Sequence, residues 1–231
     1  HLLRKKGHDV QIIDGPTDIP AATTPGAFLN FGGTNIYKAN QVEQMGRLFC
    51  SGAVKPGDHF LFTDAWHPGI INLKYMSELL QIPITMHGIW HAGSYDPQDG
   101  LGRLIGDKPW VRHSEKAMYY SYTTNWFATD FHIDMFLCNL LDLGRMADPE
   151  IVGNMFITDK IVRTGWPMEY LKDAIKADCV ATNPWDLPLG KRNLILFPHR
   201  IAPEKQVEIF RDLAATMPEY EWVVCQDQKL T

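Results

Sequence analysis

The run Asn193-Leu-Ile-Leu-Phe-Pro-His199-Arg200-Ile-Ala-Pro203-Glu-Lys205 decides how this chain folds. Leu194 to Phe197 is a continuous apolar stretch, the pattern of a buried strand, and it empties into a short polar turn. Beyond the turn, Val207, Phe210, Leu213 or Ala214, and Met217 recur at helical spacing. Pro203 suits the first helical position, where a missing N–H leaves nothing unpaired. Lys205 would then stand in the first turn, opposing the helix macrodipole by about 0.3–1 kcal/mol. An anion shared by Lys205, Arg200 and the free N–H groups of the helix explains that placement. An ordinary surface pairing of Lys205 with Glu204 or Glu208 is the alternative.

Strand-like and helix-like runs alternate through the rest of the chain, which predicts an α/β fold with a parallel sheet and crossover helices. Strands are expected at Val10–Ile13, Phe60–Thr63, Ile82–Met86, Trp126–Thr129, Ile161–Thr164 and Glu221–Cys225. Helices are expected over Gln41–Cys50, Ile70–Gln81, Val111–Tyr122 and Ile133–Leu141. Thr17–Asn40 and Ile89–Lys108, rich in Gly and polar residues, read as loops. The domains expected are 1–172, a linker at 173–192 marked by Asn183-Pro-Trp-Asp-Leu-Pro-Leu-Gly190, and a second domain opening at 193–231. The first residues read as the end of a helix and the last follow a strand, so both ends read as cut.

An apolar share of 45% and a charged share of 21% fit a globular protein. A net charge of −5 gives no overall electrostatic footprint for nucleic acid or an anionic membrane. No apolar run reaches the roughly 20 residues that span a bilayer. The four cysteines, Cys50, Cys138, Cys179 and Cys225, form no C-x-x-C pair and read as reduced thiols of a cytoplasmic protein.

Polar residues follow nearly every expected strand: Asp64 and His67, His87, Asp130 and His132, Gly165, then His199 and Arg200. Ligands of open parallel sheets bind outside the carboxyl ends of the strands, so these residues predict one site assembled from several loops. Asp64 or His67 suits deprotonation or orientation of a hydroxyl, with helix capping as the structural alternative for Asp64. His87 is either a ligand contact or a satisfied strand-end side chain, and Gly88 beside it admits close approach to the backbone. His87 and His91 stand four apart, a metal spacing on a helix, but the flanking Gly88 and Gly93 argue against one. Trp90 and His91 read better as pocket walls.

Pro198-His199-Arg200 through Lys205 resembles the opening of the second domain of GT-B glycosyltransferases of family four, where a strand is followed by R-x-x-x-x-K and a helix. Pro83-Ile-Thr-Met-His87 is similar to the family's first-domain T-x-H strand end, and Ile161-Val-Arg-Thr-Gly165-Trp166-Pro167 to its tGxP exit. The His199-Arg200 pair resembles the branch that includes the mannosyltransferase acting on queuosine in tRNA. The resemblance implies a GT-B-like, Rossmann-like parallel-sheet domain on the acceptor side, plus the start of a second Rossmann-like domain that binds a nucleotide-sugar. It implies a hexosyltransferase-type glycosyltransferase moving a sugar from that donor to an acceptor hydroxyl, with retention. Arg200 and Lys205 would grip the donor diphosphate beside His199 and Gly88, and His87 would hold the transferred sugar. Trp166 joins Trp90 and His91 in the pocket. The donor is a substrate; no cofactor is implied, and the sequence has no Asp-x-Asp metal motif. The acceptor is left open among glycan, small molecule and nucleic acid. The family's paired-glutamate segment would lie beyond Thr231, so residues 1–231 alone are expected to be inactive. A metal-dependent hydrolase built on the His/Asp cluster, and a non-catalytic nucleotide- or sugar-binding domain, are the alternatives.

Overall fold

The computed structural model describes residues 2–20, 30–152, 154, 157, 159–165, 193–199, 201 and 205–225. It divides into two compact units, His1–Trp166 and Pro167–Thr231. The expected linker, 173–192, lies outside the described residues.

The first unit begins with a short helix α1 (Leu2–Lys5) and a long helix α2 (Phe31–Cys50). Then come β1 (His59–Phe62), α3 (Gly69–Leu79), β2 (Thr85–Ile89), α4 (Gly100–Ile105), α5 (Pro109–Ser121) and β3 (Thr124–Phe127). It ends with α6 (Asp130–Asn139), α7 (Pro149–Val152) and β4 (Ile161–Arg163). All strand pairings of this unit are parallel and the order is β1-β2-β3-β4, a parallel α/β sheet that is Rossmann-like in general but shows no reversal of strand order among the described strands. The second unit contains β5 (Leu194–Phe197), α8 (Val207–Thr216) and β6 (Glu221–Val224), with β5 and β6 parallel.

Burial alternates along the strands with period two. Met86, Gly88, Asn125, Phe127 and Ile161 are buried on one face of the sheet. They meet Ile70 and Leu73 of α3, Met118 and Tyr119 of α5, and Ile133 and Phe136 of α6 in one core. A sheet whose strand order never reverses, joined by crossovers of one hand, places its connecting helices on a single face. The opposite face, carrying His59, Leu61, His87, Thr124, Trp126 and Val162, is only half-covered.

Several elements differ from their sequence reading, among them α4, which forms inside Ile89–Lys108, read as a loop, where Asp99 caps it by accepting from Leu101 N at 2.8 Å. Val10–Ile13 forms no strand: the carbonyls of Val10, Ile13 and Asp14 accept instead from the side chains of Arg4, Gln41 and Gln44. Within the stretch read as the loop 17–40, α2 already begins at Phe31, because Asn30 caps it by accepting from Gly33 N at 2.9 Å. The Gly, Pro, Thr and Asn content of 17–40 as a whole is what reads as a loop. β2 lies three residues late because Ile82 N closes the end of α3 on Ser77 O and Pro83 has no N–H to give a ladder. Helix α8 starts at Val207, preceded by Gln206 in the left-handed region (φ 53°), so Lys205 stands ahead of the helix and not in its first turn.

Candidate functional site

The carboxyl ends of β1, β2 and β3 are tied together by their own loops. Ala65 N donates to Ile89 O at 2.8 Å, and the His91 ring donates from Nε2 to Thr63 O at 2.6 Å. Asp64 turns its Oδ1 back to accept from Trp66 N at 3.1 Å. Its other oxygen pairs with Lys38 Nζ at 3.3 Å. That same ammonium also bonds Trp66 O and lies 5.3 Å from the centre of the Trp66 ring. Beneath these loops, Glu115 is fully buried on α5 and accepts from Trp66 Nε1 (2.8 Å), Ser94 N (2.7 Å) and Ser94 Oγ (2.6 Å). One carboxylate therefore fixes both the Asp64 loop and the His91 loop.

Further along the edge, the hydroxyl of buried Tyr95 meets His132 Nε2 at 2.7 Å. Burial pushes the Tyr95 phenol up and the His132 imidazole down, so the phenol keeps its proton and donates it. Neutral His132 then carries its own hydrogen on Nδ1. Thr129, not Asp130, caps α6, accepting from His132 N at 3.1 Å. Asp130 is exposed and pairs with Arg163 at 3.3 Å. The edge thus offers Asp64 as an exposed carboxylate, with the imidazole of His91 on the next loop and that of His132 in the first turn of α6.

The other predicted residues of this unit are placed elsewhere. His87 lies inside β2, opposite Leu61 and Thr124, and not at a strand end. Its ring bonds Thr124 Oγ1 and His59 on the half-covered face. Gly88 is filled by protein: a Cβ there would meet Tyr122 ring carbons at 2.7–2.8 Å, so the position admits an aromatic ring and not a ligand. Trp90 is 1% exposed, wedged among Phe127, Phe136, Tyr95 and Tyr122, with its Nε1 donating to Asn125. It is core and no pocket wall. His67 is also buried; Gly69 N donates to its Nδ1 at 3.0 Å, and its Nε2 meets Gln41 Oε1 at 3.1 Å. Burial, then the charge of Lys38, lowers its pKa to about 4. Both nitrogens are engaged, so His67 holds the start of α3 and no substrate proton is within its reach.

In the second unit His199 is exposed and meets the Phe197 ring edge-on at 5.5 Å, and Lys205 is exposed. Arg200 and Trp166 lie outside the described residues. Among the described residues no three His, Cys, Asp or Glu side chains come together to hold a metal ion. The metal-hydrolase alternative is therefore not carried further. No helix among the described residues is long and apolar enough to cross a membrane. No family model and no curated protein matches the chain.

Sequence reasoning missed Lys38, Glu115 and Tyr95. Lys38 was hidden in a stretch read as loop. Glu115 had a readable signal, because it shares the helical stripe of Val111, Met118, Tyr119 and Tyr122, all buried. A lone carboxylate on an apolar face announces a buried polar network. Tyr95 follows a glycine-rich stretch and carries no periodic signal at all.

Proposed function

We propose that this chain is the acceptor-side domain and the opening of the donor-side domain of a GT-B-like glycosyltransferase, which moves a sugar from a nucleotide-sugar to an acceptor hydroxyl without a metal. The observation that carries the reading is the second unit. Its parallel β5–α8–β6 follows a separate parallel sheet, and β5 runs straight into Pro198-His199-Arg200 with Lys205 ahead of the helix. Arg200 and Lys205 then stabilise the charge gathering on the leaving diphosphate, the electrostatic term that dominates much of catalysis. His199 precedes Arg200 in the chain and belongs to the same proposed donor-binding turn. Asp64 and His91 at the edge of the first sheet orient the acceptor hydroxyl, which belongs to a glycan, a small molecule or a nucleic acid. His87, Gly88, Trp90 and His67 are left out of this assignment because their side chains or space are committed to the fold.

The test is release of nucleoside diphosphate by the protein as its source makes it, against a panel of nucleotide-sugars with and without EDTA. Release from one donor, resistant to EDTA and lowered at least about 100-fold by Arg200→Ala and by Lys205→Ala, is expected. Donor binding without release from any acceptor mixture would instead mark a non-catalytic binding domain. Neither binding nor release would remove the reading.

A further inference from the structure

The half-covered face of the sheet carries a chain of hydrogen bonds that the proposed transfer does not use. Trp126 Nε1 donates to Thr124 Oγ1 at 2.8 Å, and Thr124 Oγ1 lies 2.6 Å from His87 Nδ1. On the other side of the same ring, His87 Nε2 lies 2.9 Å from His59 Nδ1. The two imidazole planes differ by 14° and their centroids are 5.2 Å apart. Rings whose nitrogens are so close while their centroids stay so far apart meet edge to edge in nearly one plane. This is an N–H···N bond and not a face-to-face stack. It spans two strands: His59 is on β1, which lies at the edge of the sheet, and His87 is on β2.

We infer that His59 and His87 form one proton-operated latch between β1 and β2, its one neighbour among the described strands, closed in the neutral and singly protonated pair and opened by a second proton. In the neutral pair one ring supplies the bridging hydrogen and the other the lone pair. One added proton leaves that bond in place and makes it charge-assisted. A second proton puts an N–H on both facing nitrogens, so no acceptor remains and two like charges confront each other. The other positions of this face, Leu61, Thr85, Ile89, Thr124, Trp126 and Val162, carry no titratable group. Asp58, next to His59 in the chain, spends its carboxylate on Lys55 N at 2.8 Å. Burial and the charge of His59 both push the His87 imidazole down, in keeping with a pair that resists the second proton. Opening would reach the loop beyond the latch, because β1 leads directly to Thr63, whose carbonyl holds His91.

Nitrogen NMR of the full 231-residue chain tests this. At neutral pH a through-bond coupling between His59 Nδ1 and His87 Nε2 is expected. On acidification both rings should share the first protonation step. In the second step amide exchange over residues 59–63, corrected for its intrinsic pH dependence, should rise about tenfold while that of Asn125 in β3 does not. His59→Gln keeps an oxygen acceptor for His87 Nε2–H and removes one charge, so it should abolish the second step and the exchange increase. His59→Asn is the second variant should the first fail to fold. Absence of the coupling, independent titration of the two rings, an equal rise at Asn125, or an unchanged rise in the variant would overturn the latch.

Discussion

At the scale of single residues, two buried groups pull the pH dependence of this protein in opposite directions. His67 has its pKa lowered to about 4, so the native state favours the neutral ring. Its contribution is fully present above the unfolded value of 6.5 and is lost as pH falls through the window from 6.5 to about 4. The limit of that loss is about 3 kcal/mol. His67→Asn keeps an acceptor for Gly69 N, and denaturant unfolding from pH 7 to 4.5 should show a flatter slope than the parent; an unchanged slope would place the titration elsewhere. Glu115 works the other way. Burial, only partly offset by its bonds from Ser94 and Trp66, raises its pKa. Its contribution is therefore largest below the unfolded carboxylate range and is lost as pH rises through the raised native value. Glu115→Gln retains acceptors for Trp66 and Ser94 N–H and can donate to Ser94 Oγ, so at pH 7.5 it should be as stable as the parent or more so. Glu115→Ala strands those donors in the core and should cost about 2–4 kcal/mol in urea unfolding. Equal losses in both variants would show that the carboxylate itself, and not an amide of the same shape, is what the Ser94 and Trp66 donors require.

Among the elements, the end of α3 shows how one residue positions a strand. Gln81 N bonds Glu78 O at 3.2 Å and Ile82 N bonds Ser77 O at 3.0 Å, the paired closure of a Schellman turn. That closure puts Gln81 in the left-handed region, φ 55°, where a side chain is strained and glycine is at ease. Gln81→Gly should stabilise the first unit by about 0.5–1 kcal/mol, read as a rise in urea midpoint, and Gln81→Val should lower it. The same turn explains what the sequence could and could not tell. The apolar run from Ile82 looked like the start of a strand, but its first backbone groups were already spent on the helix end. That three-residue error moved His87 from a strand end to mid-sheet and with it the expected sugar contact. Elements with strong period, α3, α5, α6 and β5, were legible within a few residues because their burial depends on local spacing alone. What is set by partners far along the chain was not: that Tyr122 occupies the space over Gly88, or that Glu115 reaches Ser94. Asp64 was legible as a strand-end residue and His91 only as a pocket wall, whereas Lys38, which pairs with Asp64 from 26 residues away, was not legible.

At the scale of the whole molecule, the described sheet differs from a doubly wound one in having no reversal of strand order. The crevice that binds ligands in open α/β sheets forms where that order reverses. The four described strands of the first unit supply carboxyl ends but no such crevice, which is why Asp64, His91 and His132 line an open edge and why the proposed chemistry leans on the second unit. The described part of that unit also carries the smaller core. Its described part is a two-stranded sheet and one helix, with Phe197 as its buried apolar residue and none buried in α8. A two-stranded sheet is marginal without a packed helix. What packs here is a ring cluster: Phe210 lies 5.1 Å from Phe197 and 4.9 Å from Trp222, centroid to centroid. Calorimetry should therefore resolve two transitions, the lower belonging to the second unit. Phe210 is only half-buried, so Phe210→Ala should remove about 2 kcal/mol, less than a fully buried Phe truncation. In so small a unit that loss is large enough to move the lower transition by several degrees. The upper transition should stay in place, since the core around Trp90 and Phe136 includes none of the residues lost. A single transition that shifts as a whole in the variant would show instead that the two units unfold as one.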